Sequence, residues 1–191
     1  MRVLIAEDEA IIRMDLREML EEEGHEVLGE ARNGDEAVEL ARRLEPDVVF
    51  MDINMPGMSG IEAARILGDD RVAPVVMVTA FSQSGYVEQA ASAGAMAYVV
   101  KPFSRADVLP AMHVAVSRFA EATVLLDEVS DLTERLETRK VVDRAKGLLM
   151  ERGMTEPEAF KRLQKLAMDK RKSLREIAEA VVLAEEASAE L

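Results

Sequence analysis

The chain has 191 residues, 49% apolar and 32% charged, which excludes a disordered or fibrous protein and leaves room for one full domain and a small second one. With no cysteine and only two histidines, His25 and His113, it cannot use disulfides, thiolate catalysis, iron–sulfur clusters or a histidine-rich metal site. The net charge of −13 argues against a surface that clamps nucleic acid throughout, yet it is uneven: residues 1–133 hold 11 basic against 25 acidic groups, 134–175 hold 13 against 7, and 176–191 hold none against 5.

Along residues 1–103, short β-rich runs at Val3 to Ala6, Glu26 to Glu30, Val48 to Met51, Val75 to Val78 and Ala97 to Val100 read as strands. Helical patterns lie between them at Ala10 to Glu23, Gly34 to Leu44, Gly60 to Leu67 and Gln83 to Ala93, with Gly, Pro and Asn-Gly at the junctions. Strict β-α alternation predicts an α/β fold, a doubly wound parallel sheet of five strands with helices on both faces. No stretch approaches the roughly 18 apolar residues of a membrane span, so a soluble, cytoplasmic chain is expected.

From Ser104 the strand signal ends. Ser104 with Asp107 reads as a capping box opening a long helix. Leu109, Met112, Val116 and Phe119 form one apolar stripe, expected to pack on the sheet, and Leu125, Val129, Leu132 and Leu136 form a second, coiled-coil-like one that needs another partner. Gly153 ends the helix, and boxes at Thr155 and Ser173 open two more, giving a small all-α three-helix unit on an extended helix. Phe160, Leu163 and Ala167 are expected to share the buried face of the second of these helices.

In an open parallel sheet, ligands bind beyond the carboxyl ends of the strands. Those ends here are Glu7-Asp8, Asp52, Thr79 and Lys101. Clustered carboxylates repel one another, and a hard divalent cation such as Mg2+ relieves that while leaving positions for phosphate oxygens. Asp52 can then attack a phosphoryl donor, with Thr79 and Lys101 placed to bond the phosphoryl oxygens.

IAEDE, VVFMDINMPGMSG, VTA and Lys101-Pro102-Phe103 together resemble the receiver domain of two-component response regulators, over residues 1–120, and imply its flavodoxin-like fold. The resemblance implies Asp52 as phosphoacceptor, Mg2+ held by Asp8, Asp52 and the backbone carbonyl of Asn54 with Glu7 assisting through water, Tyr98 as the switch aromatic, a cis Lys101-Pro102 bond and a cognate histidine kinase as partner. The acidic pair is Glu-Asp where the family commonly has Asp-Asp.

Within residues 121–191, RLETRKVVDRAKGLLMERG and TEPEAFKRLQKLAMDKRKSLREIAEAVV resemble the ANTAR domain, an RNA-binding module of transcription antitermination. This implies structured RNA, typically a pair of hairpin loops, as ligand and action as a dimer; the uncovered stripe Leu125 to Leu136 adds the expectation of a monomer when unphosphorylated and a homodimer when phosphorylated or RNA-bound. Arg139, Lys146, Arg152, Lys161, Lys165, Arg171 and Lys172 are the candidate phosphate contacts. Gly147 inside a helical pattern points either to close approach of RNA or to tight packing on a neighbouring helix. The leading reading is a phosphorylation-controlled RNA-binding antiterminator, a switch rather than an enzyme. A DNA-binding regulator and a phosphoaspartyl hydrolase are the alternatives, the latter disfavoured by Asn54 two residues after the nucleophile.

Overall fold

The computed structural model describes residues 1–80 and 94–189, with side chains described to residue 184. The helix expected over Gln83 to Ala93 lies outside them. In chain order the elements are β1 (Arg2–Ala6), α1 (Ala10–Glu22), β2 (Glu26–Ala31), α2 (Gly34–Leu44), β3 (Val48–Asp52), α3 (Gly60–Asp69), β4 (Val75–Thr79), β5 (Ala97–Val100), α4 (Arg105–Glu151), α5 (Glu156–Lys170) and α6 (Leu174–Ala189). They divide into two compact units, Met1–Val124 and Leu125–Leu191.

In the first unit five parallel strands lie in the order β2-β1-β3-β4-β5. Chain order reverses between β1 and β3, which puts the crevice at the carboxyl ends of those two strands. Successive side chains of a strand point to opposite faces, and both faces are buried. Leu4, Ala6, Val49 and Met51 meet Ala37, Ala41, Ala63 and Leu67 of α2 and α3 on one face. Val3, Ile5, Val48 and Phe50 meet Leu16 and Leu20 of α1 on the other, together with Val108, Met112 and Ala115 of α4. Of the expected stripe, Met112 is buried on the sheet and Leu109 and Val116 pack partly against it, whereas Phe119 is not in this cluster and the buried places beside Met112 go to Val108 and Ala115. That α4 contains an eighteen-residue stretch long and apolar enough for a membrane span corrects the sequence reading; three of the helix's apolar residues are those buried on the sheet.

In the second unit the three helices bury Val142, Ala145, Leu149, Ala159, Leu163 and Ala178. One alanine from each helix, Ala145, Ala159 and Ala178, is wholly buried. The caps form where expected: Thr155 N–H and its hydroxyl both donate to Glu158 Oε2, at 2.9 and 2.7 Å, and Ser173 and Glu176 bond reciprocally at 2.8 and 3.1 Å. Phe160 does not join this core. It is 38% exposed. The buried pair on α5 is Ala159 and Leu163, four residues apart, so Phe160 sits about 100° round the helix from Ala159.

Candidate functional site

The ends of β1 and β3 and the residue after β5 bring opposite charges together. Glu7 and Asp52 are 1% and 5% exposed, whereas Asp8 is an exposed residue at the rim. One carboxylate oxygen from each of Glu7, Asp8 and Asp52 lies within 4.8 Å of the other two. Lys101 Nζ sits 2.7 Å from Glu7 Oε2 and 2.8 Å from Asp52 Oδ1. The second oxygen of Asp52 accepts the Asn54 N–H at 2.9 Å, and Glu7 Oε1 accepts the Glu9 N–H at 3.2 Å. The Lys101-Pro102 bond is cis.

Burial raises the Glu7 pKa above the ordinary carboxylate value; the Lys101 bond works against this, and the charge of Asp52 adds to it. Burial also weakens the Lys101 ammonium, but its bonds to Asp52 and Glu7 outweigh that and hold its pKa above the usual lysine value. Glu9 Oε1 lies 4.0 Å from Lys101 Nζ as well, so four carboxylates gather about one ammonium. The donor set is therefore all oxygen, partly buried and short of positive charge, which is the chemistry a hard divalent cation fits.

Thr79 is 2% exposed at the end of β4, and its carbonyl accepts the Lys101 N–H at 2.7 Å, which fixes the start of the lysine's segment against the neighbouring strand. Tyr98 stands apart from the cluster, 51% exposed on β5.

Two supporting residues escaped the sequence reading. Arg13, 7% exposed, donates through Nη1 to the Glu7 carbonyl at 2.6 Å and through Nε to Glu30 at 2.9 Å, bracing the acidic turn from α1. Its signal was an arginine on the stripe it shares with Leu16 and Leu20, where an apolar residue would be expected. Burial pushes the Glu30 pKa up, but the bonds from Arg13 and Arg17 prevail and hold it below the ordinary value. Gly60 opens α3 and donates to the Ile53 carbonyl at 3.0 Å. A Cβ there would lie 1.8 Å from the carbonyl oxygen of Asp52, so only glycine lets α3 start against the strand end that carries Asp52.

The seven basic candidates of the second unit behave differently from one another. Lys146 bonds Asp143 at 2.8 Å and Glu156 at 2.7 Å, Lys172 bonds Glu176 at 2.6 Å, and Arg139 lies 3.7 Å from Asp143. Arg152 is exposed on the turn after α4. Lys161, Lys165 and Arg171 are exposed and, among the described residues, form no ion pair. A Cβ at Gly147 would meet nothing within 4 Å, so tight packing on a neighbouring helix does not explain that glycine.

A family model for the response regulator receiver domain matches residues 3–113, and one for the ANTAR domain matches residues 130–182. The transcriptional regulatory protein PdtaR of Mycobacterium tuberculosis is 60% identical over 182 residues, 95% of this chain and 89% of that protein. Among solved structures, the response regulator domain of Thermotoga maritima CheB is 32% identical with a TM-score of 0.57, over 61% of this chain and 96% of its own. CheY of Borrelia burgdorferi, in a complex with CheX, BeF3 and Mg2+, is 33% identical with a TM-score of 0.53, over 57% of this chain and 84% of that one.

Proposed function

The chain belongs to the response regulators that join a receiver domain to an ANTAR domain, and from that premise we propose that it is a phosphorylation-controlled RNA-binding antiterminator. The receiver extends over residues 1–120 and the linker helix with the ANTAR domain over 121–191. The observation that carries the reading is the Lys101 ammonium held between Glu7 and Asp52, with Asp8 beside them.

Asp52 is the phosphoacceptor. One of its carboxylate oxygens forms the bond to phosphorus while the bond from phosphorus to the donor's leaving group breaks. The Asn54 N–H holds Oδ2 of Asp52 and Lys101 holds Oδ1, so the lysine exchanges its Asp52 contact for the incoming phosphoryl oxygens. Thr79 supplies a hydroxyl to the same oxygens. Asp8, Asp52 and the Asn54 carbonyl would hold Mg2+, with Glu7 assisting through water, and the ion would offset the carboxylate charge as an anionic donor approaches. Autophosphorylation and autodephosphorylation are slow at most, as suits a switch.

A histidine kinase supplies the phosphoryl group, and the protein works in the cytoplasm on RNA hairpin loops. The unphosphorylated chain is a monomer. Leu125, Val129, Leu132 and Leu136, each 55–61% exposed, become the seam of a homodimer on phosphorylation or RNA binding. Drawing Thr79 toward the phosphoryl group opens space for Tyr98 to turn inward, which links the site to that seam.

Intact-mass measurement with a small acyl phosphate, followed by sedimentation with and without a two-hairpin RNA, tests the sequence of events. One added phosphoryl group, dependent on Mg2+, and pairing that phosphate and RNA both promote are expected. Labelling that ignores a chelator, or a chain that stays monomeric throughout, overturns the receiver or the dimer part respectively.

A further inference from the structure

Among the described residues, the unpaired basic groups of the second unit gather on α5 and at Arg171 just beyond its end. Arg135, Arg139, Lys140, Lys146, Lys172 and Arg175 are engaged by carboxylates, most of them three or four residues away on the same helix. Lys161, Arg162, Lys165 and Lys170 of α5 form no ion pair among the described residues. A cation already paired must give up a carboxylate to reach a phosphate, whereas an unpaired one neutralises the phosphate at no such cost and frees a counterion condensed on the nucleic acid.

Phe160 lies on this same helix and is the one aromatic residue after residue 124. The core of this unit is centred on three wholly buried alanines and does not include its one aromatic ring. Instead Ala159 takes the inner position and the ring is left 38% exposed. At helical spacing Phe160 and Gln164 form one edge of the outer strip of α5, and Lys161 and Lys165 run beside them one turn apart, all four exposed. A flat apolar ring, a side-chain amide and two uncommitted ammoniums side by side make up the chemistry that holds an unpaired nucleotide: a π face for the base, donors and acceptors for its edge, and charge for the flanking phosphates.

We propose that the outer strip of α5 is the place where the RNA loop is read, with Phe160 stacking on one unpaired base, Gln164 bonding a base edge, and Lys161 and Lys165 holding the phosphates on either side. This rests on the reading of the second unit as RNA-binding and deepens it by naming the side chains that meet the loop.

The test uses the full chain, a pool of hairpin RNAs with one fixed stem and a randomised loop, and the same stem closed into a blunt duplex. The loop pool binds wild type more tightly than the duplex does. Phe160→Ala weakens loop binding by roughly 5- to 150-fold, the range for losing one stacked base, and leaves the weaker duplex binding unchanged. Phe160→Leu keeps the apolar bulk without the π face, so a loss matching that of Phe160→Ala, with unfolding temperature retained, separates stacking from a packing role. Because the chain has no tryptophan, Phe160→Trp gives a single reporter: it keeps binding, and its emission is quenched by the loop pool and not by the duplex. If wild type binds the loop pool and Phe160→Ala or Phe160→Leu binds it equally well, stacking is overturned and RNA binding stands. A change in sedimentation of Phe160→Ala without RNA would assign the ring to a protein contact and overturn the proposal as well. If wild type retains neither RNA, the RNA-binding reading itself fails and this inference with it.

Discussion

In the first unit the decisive charges are below the surface: Glu7, Asp52 and Lys101 sit within hydrogen-bonding distance of one another, with the lysine side chain 12% exposed. In the second, the cations apart from Lys146, whose side chain is 16% exposed between Asp143 and Glu156, are on the outside, and what distinguishes them is whether a carboxylate has already claimed them. A buried cluster is weakly screened and strongly coupled, so it suits a small, multiply charged ligand admitted to one place. An outer strip is screened and additive, so it suits a long polyanion gripped at several points. One chain thus uses electrostatics in two regimes, and perturbing each regime should give a different kind of result.

The sharpest break is Asp52→Asn, which is expected to abolish labelling by a small acyl phosphate while leaving RNA binding by the unphosphorylated chain as it was. Equal labelling of both proteins in intact-mass spectra would remove Asp52 from its role. Next in size is Gly60→Ala. The added Cβ meets the Asp52 carbonyl oxygen at 1.8 Å, so the first unit should lose 4 kcal/mol or more, on the order expected for severe overpacking against backbone. Urea unfolding followed by circular dichroism should show the receiver transition lost and the helical transition of the second unit kept; a single unchanged transition would mean that α3 can shift.

Lys101→Ala leaves two buried carboxylates facing each other and should cost about 3 kcal/mol in the absence of a divalent cation. Mg2+ should restore more stability to this variant than to wild type, read as the difference in denaturation midpoint with and without chelator. On the outer strip the effects are smaller. Lys161→Ala or Lys165→Ala should each reduce the salt dependence of RNA binding by roughly 0.7 in log–log slope, the value for one phosphate on a single strand. Lys146→Ala should change it less, because Asp143 and Glu156 already hold that ammonium. Equal slopes for the three variants would erase the distinction between claimed and unclaimed cations.

The smallest effect concerns pH. The bond from Lys172, then those from Ser173, push the Glu176 pKa down to about 2. A depressed carboxylate contributes stability that is present above its ordinary value of 4.5 and is lost as pH falls toward 2. Carboxyl NMR should therefore find the Glu176 midpoint far below 4.5 in dilute buffer and nearer to it in about 1 M salt, because the exposed Lys172 bond is screened. The elevated Lys101 value should move less over the same salt range, and equal movement would show that the two sites share one regime.

The strand-end chemistry was legible because a parallel sheet delivers its carboxyl ends to one edge, so Glu7, Asp8, Asp52, Thr79 and Lys101 could be grouped from strand boundaries alone. Arg13 was not, because an arginine inside an apolar stripe looks like a solvated residue until the carbonyl of Glu7 is seen within its reach. Phe160 was misassigned for a different reason. Phe160, Leu163 and Ala167 satisfy helical spacing as well as Ala159, Leu163 and Leu166 do, and alanine is too nearly neutral for apolar periodicity to choose between them. The structure chooses Ala159 and Leu163 as the buried pair. Pairing of cations was equally hidden, since the bond from Lys146 to Glu156 crosses from one helix to the next.

That alanine-centred core has a consequence for how such regulators diversify. With Ala145, Ala159 and Ala178 wholly enclosed, the inner faces tolerate almost no exchange: a larger residue has nowhere to go, and a smaller one leaves only glycine. The outer strip of α5 carries no such obligation. On the proposed reading of that strip, a duplicated gene drifting at Phe160, Lys161, Gln164 and Lys165 would acquire new RNA targets while inheriting the same scaffold and the same input chemistry, so that lineages would differ in target long before they differ in fold.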